Sequence, residues 1–306
     1  MSTLKPYLSK YRQMGLAQLA SLEALLLWTA LLGLSVAALP QAIDIWQQTG
    51  ALLSISLMVA LGALVLVFLR RYYPHRHFGW CNTVTLMRAA AVCWLAGLWF
   101  AVETNWQGTI AWGASIAGIV LLTLDGLDGW LARKRGNSSS FGARFDMEVD
   151  SLLALVLAVL VWQTDKVGAW VVLLGLFRPA FMLATVRWPK LGAELPPAWR
   201  RKVVCVIQVA VLATMLAPVV TPMAATWLAA IALALLVWSF GRDTWWLLRQ
   251  SPLYIGPRVL NTTSSAAHAN ATPAVLVARG RLSADFNYLV MVGVALVRLR
   301  HRVSAP

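Results

Sequence analysis

Charged residues are scarce in this chain of 306 amino acids. Only 12% of the residues are Asp, Glu, Lys or Arg, whereas 59% are hydrophobic. A soluble domain usually carries about 25% charged residues, so the composition excludes an ordinary water-soluble fold. It predicts an all-α fold in the form of a polytopic membrane helix bundle.

Residues that form disulfides or bind zinc are also few. The three cysteines, Cys81, Cys93 and Cys205, have no Cys-x-x-Cys spacing, and two of them lie in or beside apolar runs. We interpret them as small buried hydrophobic residues. The four histidines form no cluster with ligand spacing on one helix face, so a zinc site is not indicated.

Acidic residues number 12 against 26 Lys and Arg, which gives a net charge of +14. The sequence has no basic stripe with interleaved aromatic residues, and this argues against a nucleic-acid partner. The basic residues lie instead in short loops between apolar runs, a pattern typical of cytoplasmic loops that face anionic lipid headgroups. Membrane lipids are therefore expected partners.

Apolar runs of membrane-spanning length occur eight times, each close to the roughly 20 residues that a helix needs to cross a bilayer. They cover residues 22–39, 51–69, 84–102, 109–131, 145–162, 168–186, 203–218 and 223–241. Loops with several basic residues alternate with loops that have one or none, including a predicted loop at 40–50. This alternation predicts a multi-pass protein with both termini in the cytoplasm, which we expect in the bacterial inner (plasma) membrane.

Five of the 12 acidic residues lie close together in the middle of the chain. Asp125 and Asp128 end one apolar run with i, i+3 spacing, and Asp146 and Asp150 begin the next with i, i+4 spacing, so each pair shares a helix face. A short connection makes the two helices antiparallel neighbours, and four carboxylates then converge near the cytoplasmic interface. Oxygen ligands without His or Cys suit Mg²⁺ or Mn²⁺. The fifth acid, Glu148, points elsewhere on the helix and is expected to be non-catalytic.

The residues around these acids fit a substrate that carries phosphate. Gly129 leaves space beside the acids, and Ala132 keeps the same helix face small. Arg133 can pair with a phosphate, and Gly142 lets the second helix or a substrate approach closely.

This pattern resembles the signature of the CDP-alcohol phosphotransferases, also called CDP-alcohol phosphatidyltransferases, at every defined position. The matching residues are Asp125-Gly-Leu-Asp128-Gly129-Trp-Leu-Ala132-Arg133, then after eight residues Gly142, and then Asp146 and Asp150 at intervals of four. Weaker resemblances lie outside this segment. Asn82-Thr-Val-Thr85-Leu-Met-Arg88 is similar to the Asn-x-x-Thr-x-x-Arg that opens the family's first core helix. Arg178 and Arg187 resemble basic residues that hold the acceptor's phosphate in some members, and Lys202 and Gln208 resemble a Lys and a Gln near the start of the fifth core helix.

The resemblance implies a six-helix catalytic core at about 82–243, preceded by residues 1–81 with two additional transmembrane helices and followed by a cytoplasmic tail, 244–306, with a flexible linker. It also implies site residues. Two Mg²⁺ or Mn²⁺ ions would be held by Asp125, Asp128 and Asp146, with Asp150 near the ions and acting as general base. The residues expected at the CDP-donor site are Asn82, Thr85, Gly129, Ala132, Arg133 and Gly142. Those expected at the acceptor site are Arg178, Arg187 and Lys202.

The implied reaction is transfer of a substituted phosphate from a CDP-alcohol, above all CDP-diacylglycerol, to an acceptor alcohol, with release of CMP. This reaction belongs to phospholipid biosynthesis, and a homodimer is compatible with it. The acceptor stays open, because phosphatidylglycerophosphate synthases typically have Asp-Pro-x-x-Asp-Lys where this chain has Asp146-Met-Glu-Val-Asp150-Ser151.

Three alternatives explain acids in membrane helices. A transporter with an acidic ion site predicts acids near the midplane of the membrane and broken helices in both halves, whereas these acids lie at one interface. An intramembrane Mg²⁺-dependent prenyltransferase has its Asp-rich motifs much farther apart in sequence. A catalytically inactive relative is disfavoured by the intact acids.

Overall fold

A computed structural model of the protein describes residues 5–72, 78–100, 108–135, 140–193, 195–196 and 198–249. Within these residues all regular secondary structure is helical, which confirms the predicted all-α class. The α-helices are α1 (Lys5–Tyr72), α2 (Trp80–Gly97), α3 (Thr109–Arg135), α4 (Ser140–Gln163), α5 (Val172–Arg187), α6 (Trp199–Leu216) and α7 (Pro222–Arg249). Short 3-10 turns lie at Leu98–Phe100, Ala169–Val171 and Pro189–Gly192.

Five segments of the described helices are long and apolar enough to cross a membrane. They are Ala20–Ala37, Gln48–Val67, Trp80–Phe100, Thr109–Gly126 and Pro222–Arg249. They coincide with five of the eight predicted runs. The other three runs fall on α4, α5 and α6; α5 contributes a shorter apolar stretch, Ala169–Thr185. Near their beginnings α4 carries four charged residues and α6 carries three. The chain is thus a multi-pass membrane helix bundle.

The first helix contains two of these spans and bends back on itself. In a straight helix Trp28 and Met58 would be about 45 Å apart, yet the Trp28 indole N–H donates a 2.9 Å hydrogen bond to the Met58 carbonyl. A Cβ atom on Gly62 would overlap the same indole, at 2.0 Å from its nitrogen. The two halves of α1 therefore pack against each other as the two predicted N-terminal spans.

The prediction of a loop at 40–50 is wrong, because α-helix continues through this stretch. The physical reason lies in its composition: between Pro40 and Gly50 the residues are mainly Gln, Ala and large apolar side chains, which tolerate helix well. Pro40 lies in this stretch, and a proline inside a helix removes one backbone hydrogen bond and favours a bend.

The chain divides into two compact units. The first comprises Met1–Gly175 and Cys205–Leu233, and the second comprises Leu176–Val204 and Ala234–Pro306. In the first unit α4 is the central helix, since every residue from Ser151 to Val161 is buried and a helix apolar on all sides belongs inside a bundle. Its neighbour α5 approaches closely because residue 175 is glycine, where a Cβ atom would lie 2.5 Å from the Leu155 Cα atom.

The second helix, α2, is also largely buried and packs against α1, α3 and α4. The indole N–H of Trp94, on α2, donates a 2.7 Å hydrogen bond to the Ser35 hydroxyl of α1. Its beginning is fixed by Gly79, whose φ of 80° lies in the left-handed region that glycine adopts without strain. Just before it, the Phe78 backbone N–H donates to the Glu23 carboxylate of α1.

Within the second unit, aromatic and ionic contacts join α5, α6 and α7. The Phe240 ring packs on the rings of Phe177 and Phe181, with centroids 5.6 and 5.4 Å away. The Arg200 guanidinium forms an ion pair with the Asp243 carboxylate and donates two 3.0 Å hydrogen bonds to Ser239. Asp243 is buried, so this ion pair is sheltered from solvent on one side.

Candidate active site

Three of the four predicted metal ligands meet at one point. Asp125 lies on α3, and Asp146 and Asp150 lie one turn apart on the first half of α4. One carboxylate oxygen from each lies within 4.8 Å of the other two. Because α3 and α4 are joined by a short connection, acids at the end of one helix and the beginning of the next come together.

The fourth predicted ligand, Asp128, follows Asp125 by three positions on α3, which is helical as far as Arg135. This register gives Asp125 and Asp128 adjacent positions on the helix surface. Gly129, Ala132 and Arg133 also lie on this helical stretch. The side chains of these four residues lie outside the described part of the chain, so their roles stay predictions.

A buried arginine sits among the three carboxylates. Arg88, on α2, is 1% exposed, and its Nη1 atom lies 3.0 Å from the Asp125 Oδ1 atom and 2.7 Å from the Asp146 Oδ1 atom. Its Nη2 atom forms an ion pair with Asp150. The three carboxylates are more open, with side-chain exposures of 24% for Asp125, 29% for Asp146 and 36% for Asp150. Arg88 therefore contacts the cluster from the protein interior.

The role of Arg88 is the main feature that sequence reasoning missed. Its partners lie 37 to 62 positions away along the chain, so no local spacing reveals them. The available signal was a charged residue inside the apolar run 84–102, since such a residue needs a partner in the bundle interior. The resemblance of Asn82-Thr-Val-Thr85-Leu-Met-Arg88 to a family motif includes this residue but gives it no role.

The two predicted donor-site residues on α2 are buried and hydrogen-bonded near the beginning of their own helix. The Asn82 amide donates to the Phe78 carbonyl, and the Thr85 hydroxyl donates to the Cys81 carbonyl at 3.0 Å. Both precede Arg88 at intervals of three residues and lie on the same helix as that cation. The structure thus brings Asn82 and Thr85 to the turns next to Arg88, while a nucleotide contact by either stays a prediction.

On α4 the remaining polar residues differ in burial. Gly142 is partly exposed in the first turn, whereas Glu148 and Ser151 are buried. Glu148 is outside the group of three converging carboxylates, in line with the expectation that it points elsewhere. Ser151, which stands where phosphatidylglycerophosphate synthases typically have lysine, follows Asp150 directly.

The three predicted acceptor residues belong to the second unit. Arg178 lies half-buried within α5. Arg187 is the last residue of α5, is exposed, and has its guanidinium carbon 5.9 Å from the centroid of the Trp188 ring. Lys202 is exposed in the first turn of α6. Acceptor binding by these residues stays a prediction.

Arg200, one of the basic residues that precede the apolar run 203–218, has a partner elsewhere in the second unit. It forms the ion pair with Asp243 described above, and the Arg201 Nη1 atom lies 3.6 Å from the other oxygen of that carboxylate. The partner was not evident because Asp243 lies 43 positions later. Arg200 and Arg201 therefore help to join the beginning of α6 to the end of α7.

The converging carboxylates fit a divalent metal ion. They offer only oxygen, the ligand type that Mg²⁺ and Mn²⁺ prefer. Their partial exposure leaves them open to an ion from solvent. The residues present are thus suitable metal ligands, and the number and identity of the ions belong to the proposal below.

Comparison with protein families decides the assignment. The family model described as CDP-alcohol phosphatidyltransferase matches residues 78–238, just over half of the chain. The chain belongs to the CDP-alcohol phosphatidyltransferase family. Comparisons with curated proteins and with solved structures give no match. The matched residues include the aspartates, Arg88 and all other predicted site residues, whereas α1 precedes them.

Family membership fixes the class of reaction. A CDP-alcohol phosphatidyltransferase is a membrane transferase of phospholipid biosynthesis that acts on a CDP-alcohol donor and an alcohol acceptor. The family typically uses a divalent metal, and the carboxylate cluster of this chain suits one.

Proposed function

We propose that this protein transfers the phosphatidyl group of CDP-diacylglycerol to an acceptor alcohol and releases CMP. The observation that carries the proposal is the convergence of Asp125, Asp146 and Asp150 within the residues that match the family. Convergent carboxylates at the end of membrane helices suit a lipid donor whose diphosphate reaches the interface.

Asp125, Asp128, Asp146 and Asp150 would hold two Mg²⁺ or Mn²⁺ ions. When bound, such ions neutralise the diphosphate of the donor and stabilise charge on the phosphoryl oxygens. The chain alone could not do this, because carboxylates and phosphates repel each other.

Asp150 is proposed as the general base. Its side chain is the most exposed of the three, at 36%, so an acceptor hydroxyl can reach it more easily than the other two. Asp150 accepts the hydroxyl proton, and the acceptor oxygen bonds to the phosphorus farther from cytidine. The bond from that phosphorus to the bridging oxygen breaks, and CMP leaves. A base within hydrogen-bond reach of its proton contributes about 10²–10⁴-fold to rate.

The other site residues are proposed to bind the two substrates. Asn82, Thr85, Gly129, Ala132, Arg133 and Gly142 would contact the CDP moiety. Arg178, Arg187 and Lys202 would contact the acceptor, and their positive charge suits an acceptor that carries phosphate.

We also propose that the site faces the cytoplasm in the bacterial inner membrane. The alternation of basic and non-basic loops supports this orientation. The side of the membrane matters because CDP-linked donors carry a charged nucleotide that does not cross lipid readily.

A substrate screen tests this function. Purified protein with Mn²⁺ or Mg²⁺ and CDP-diacylglycerol is offered glycerol phosphate, serine, inositol phosphate or choline, and CMP release is measured. In parallel, CDP-choline is offered with diacylglycerol. CMP release with one of the first set supports the lipid donor, and release only with CDP-choline would replace it with a head-group donor. No CMP from any pair would contradict the proposal.

A further inference from the structure

Arg88 is an unusual residue to find at a metal-binding cluster, because it already supplies a positive charge there. It is 1% exposed and forms ion pairs with Asp125, Asp146 and Asp150. The three carboxylates come from two different helices, and Arg88 comes from a third. One side chain thus links α2, α3 and α4 at this site.

The charges depend on one another. A buried guanidinium is strongly destabilising unless carboxylates compensate it. Three carboxylates with oxygens within 4.8 Å of one another likewise repel unless a cation lies between them. The planar guanidinium can donate several hydrogen bonds at fixed angles, so Arg88 can hold carboxylates from both helices at once.

We propose that Arg88 is a positioning residue that holds the three carboxylates together before a divalent ion binds, and that Arg88 and the ion compete to neutralise them. This inference rests on the proposed function in one respect, namely that a divalent ion binds these aspartates. It goes beyond that function because it makes the affinity for the ion depend on an arginine that is not a ligand.

The charges predict whether the loss of Arg88 strengthens or weakens ion binding. When Arg88 becomes neutral, the carboxylates carry one more uncompensated negative charge and attract a divalent cation more strongly. The same change leaves the carboxylates without their internal cation, so the metal-free protein loses stability. The loss of Arg88 should therefore strengthen ion binding and weaken the metal-free fold together.

The test measures Mn²⁺ binding to the purified full-length chain in detergent, with no nucleotide or lipid donor added. Free Mn²⁺ is followed by electron paramagnetic resonance for wild type and for the variants Arg88→Gln and Arg88→Lys. We expect Arg88→Gln to bind Mn²⁺ about tenfold more tightly, from the loss of one nearby positive charge at a partly exposed site. Arg88→Lys keeps the positive charge, so its affinity for Mn²⁺ should stay within about threefold of that of wild type.

A matched control is Arg200→Gln. It removes the same type of charge from another arginine–aspartate ion pair, with Asp243. Mn²⁺ affinity should not change in this variant. If Arg200→Gln and Arg88→Gln gained the same Mn²⁺ affinity, the gain would come from overall charge, and this result would contradict the specific role of Arg88.

Thermal unfolding with and without Mn²⁺ gives the second readout. Arg88→Gln should melt below wild type without the ion, and Mn²⁺ should raise its melting temperature more than it raises that of wild type. If Arg88→Gln does not survive purification, Mn²⁺ added during extraction should recover it, because the ion replaces the missing charge. A variant that fails to fold even with Mn²⁺ would contradict the proposal.

The outcomes separate this inference from the proposed function. If wild type binds Mn²⁺ but Arg88→Gln binds it equally or more weakly, Arg88 does not compete with the ion for the carboxylates. The proposed function then stands without this inference. If neither binds Mn²⁺, the metal site itself is wrong, and both proposals fail at that step.

Discussion

The Phe78 backbone N–H donates a 2.7 Å hydrogen bond to the Glu23 carboxylate, 55 positions earlier in the chain. The contact joins α1 to the beginning of α2, the helix that carries Asn82, Thr85 and Arg88. Phe78 lies two positions before the first residue of α2, so this bond holds the segment that leads into the helix. The N-terminal spans, which precede the family match, are thus linked through Phe78 to the helix that carries these site residues.

Replacement of Glu23 tests this contact. Glu23→Ala should lower the free energy of unfolding by about 1–3 kcal/mol, because the part-buried Phe78 N–H loses its charged acceptor. Glu23→Gln should lower it less, because the amide oxygen can still accept the hydrogen bond. The measurement is thermal unfolding in detergent. Thr29→Val is the control on the same helix, since Thr29 is exposed and its hydroxyl bonds only the nearby Leu26 carbonyl. Equal stability of Glu23→Ala and wild type would contradict a stabilising role for this hydrogen bond.

Asp150→Asn separates catalysis from binding. The amide cannot accept the acceptor's proton, so turnover should fall by about 10²–10⁴-fold. Binding of CDP-diacylglycerol should be largely kept, because Asp125, Asp128 and Asp146 remain to hold the ions. CMP release and donor binding are measured on the same preparation. Glu148→Gln is the matched control on α4 and should keep turnover within about tenfold of wild type. Undiminished CMP release by Asp150→Asn would exclude Asp150 as the base.

The ion pair of Arg200 and Asp243 lends itself to a double-mutant cycle. Their side chains are 24% and 9% exposed, so each single change leaves a sheltered charge without its main partner. We expect Arg200→Gln and Asp243→Asn each to lower the free energy of unfolding by about 1–3 kcal/mol, and the double variant to lower it by less than the sum. Arg242→Gln, an exposed neighbour, should change stability by less than about 0.5 kcal/mol. Additive single effects would show that the two side chains do not interact.

Lys166 caps the end of α6. Its ammonium donates hydrogen bonds of 3.1 and 2.6 Å to the Met215 and Ala217 carbonyls, which are among those that a helix end leaves without partners. Lys166→Met should lower the free energy of unfolding by about 1–2 kcal/mol, and Lys166→Arg, which keeps donors, by less. A Lys166→Met variant as stable as wild type in thermal unfolding would contradict the cap.

The same residue gives a prediction about pH. Burial lowers the pKa of Lys166 below its usual value of 10.5, so the unfolded chain holds this proton more tightly than the folded chain. The contribution of Lys166 to the free energy of unfolding therefore increases as the pH rises from the folded pKa towards 10.5. The free energy of unfolding of wild type should exceed that of Lys166→Met by more as the pH rises over this range. A difference that becomes smaller as the pH rises would contradict the prediction.

The sequence predicts the parts of this molecule that depend on neighbouring residues. The five long apolar segments follow from runs of hydrophobic residues, and the meeting of Asp125 with Asp146 and Asp150 follows from helix spacing across a short connection. These features need only local geometry and the requirement that apolar surface faces lipid or the bundle interior.

Contacts between distant parts of the chain were not predictable in this way. Arg88 joins the aspartates across three helices, and Glu23 reaches Phe78 after the bend in α1. Such pairs depend on how helices pack, and a single sequence gives no register for packing. The helix through residues 40–50 escapes prediction for a different reason: a gap between apolar runs predicts a loop, although most of its residues tolerate helix.

The catalytic role of the aspartate cluster is tested most directly by CMP formation from CDP-diacylglycerol by the purified wild-type protein. We expect CMP only when the donor, an acceptor alcohol and Mn²⁺ or Mg²⁺ are present together. A chelator should stop the reaction, and Asp125→Asn and Asp146→Asn should lack it. CMP formation that persists after chelation, or that is undiminished in these variants, would contradict the assignment of the aspartate cluster as the catalytic site.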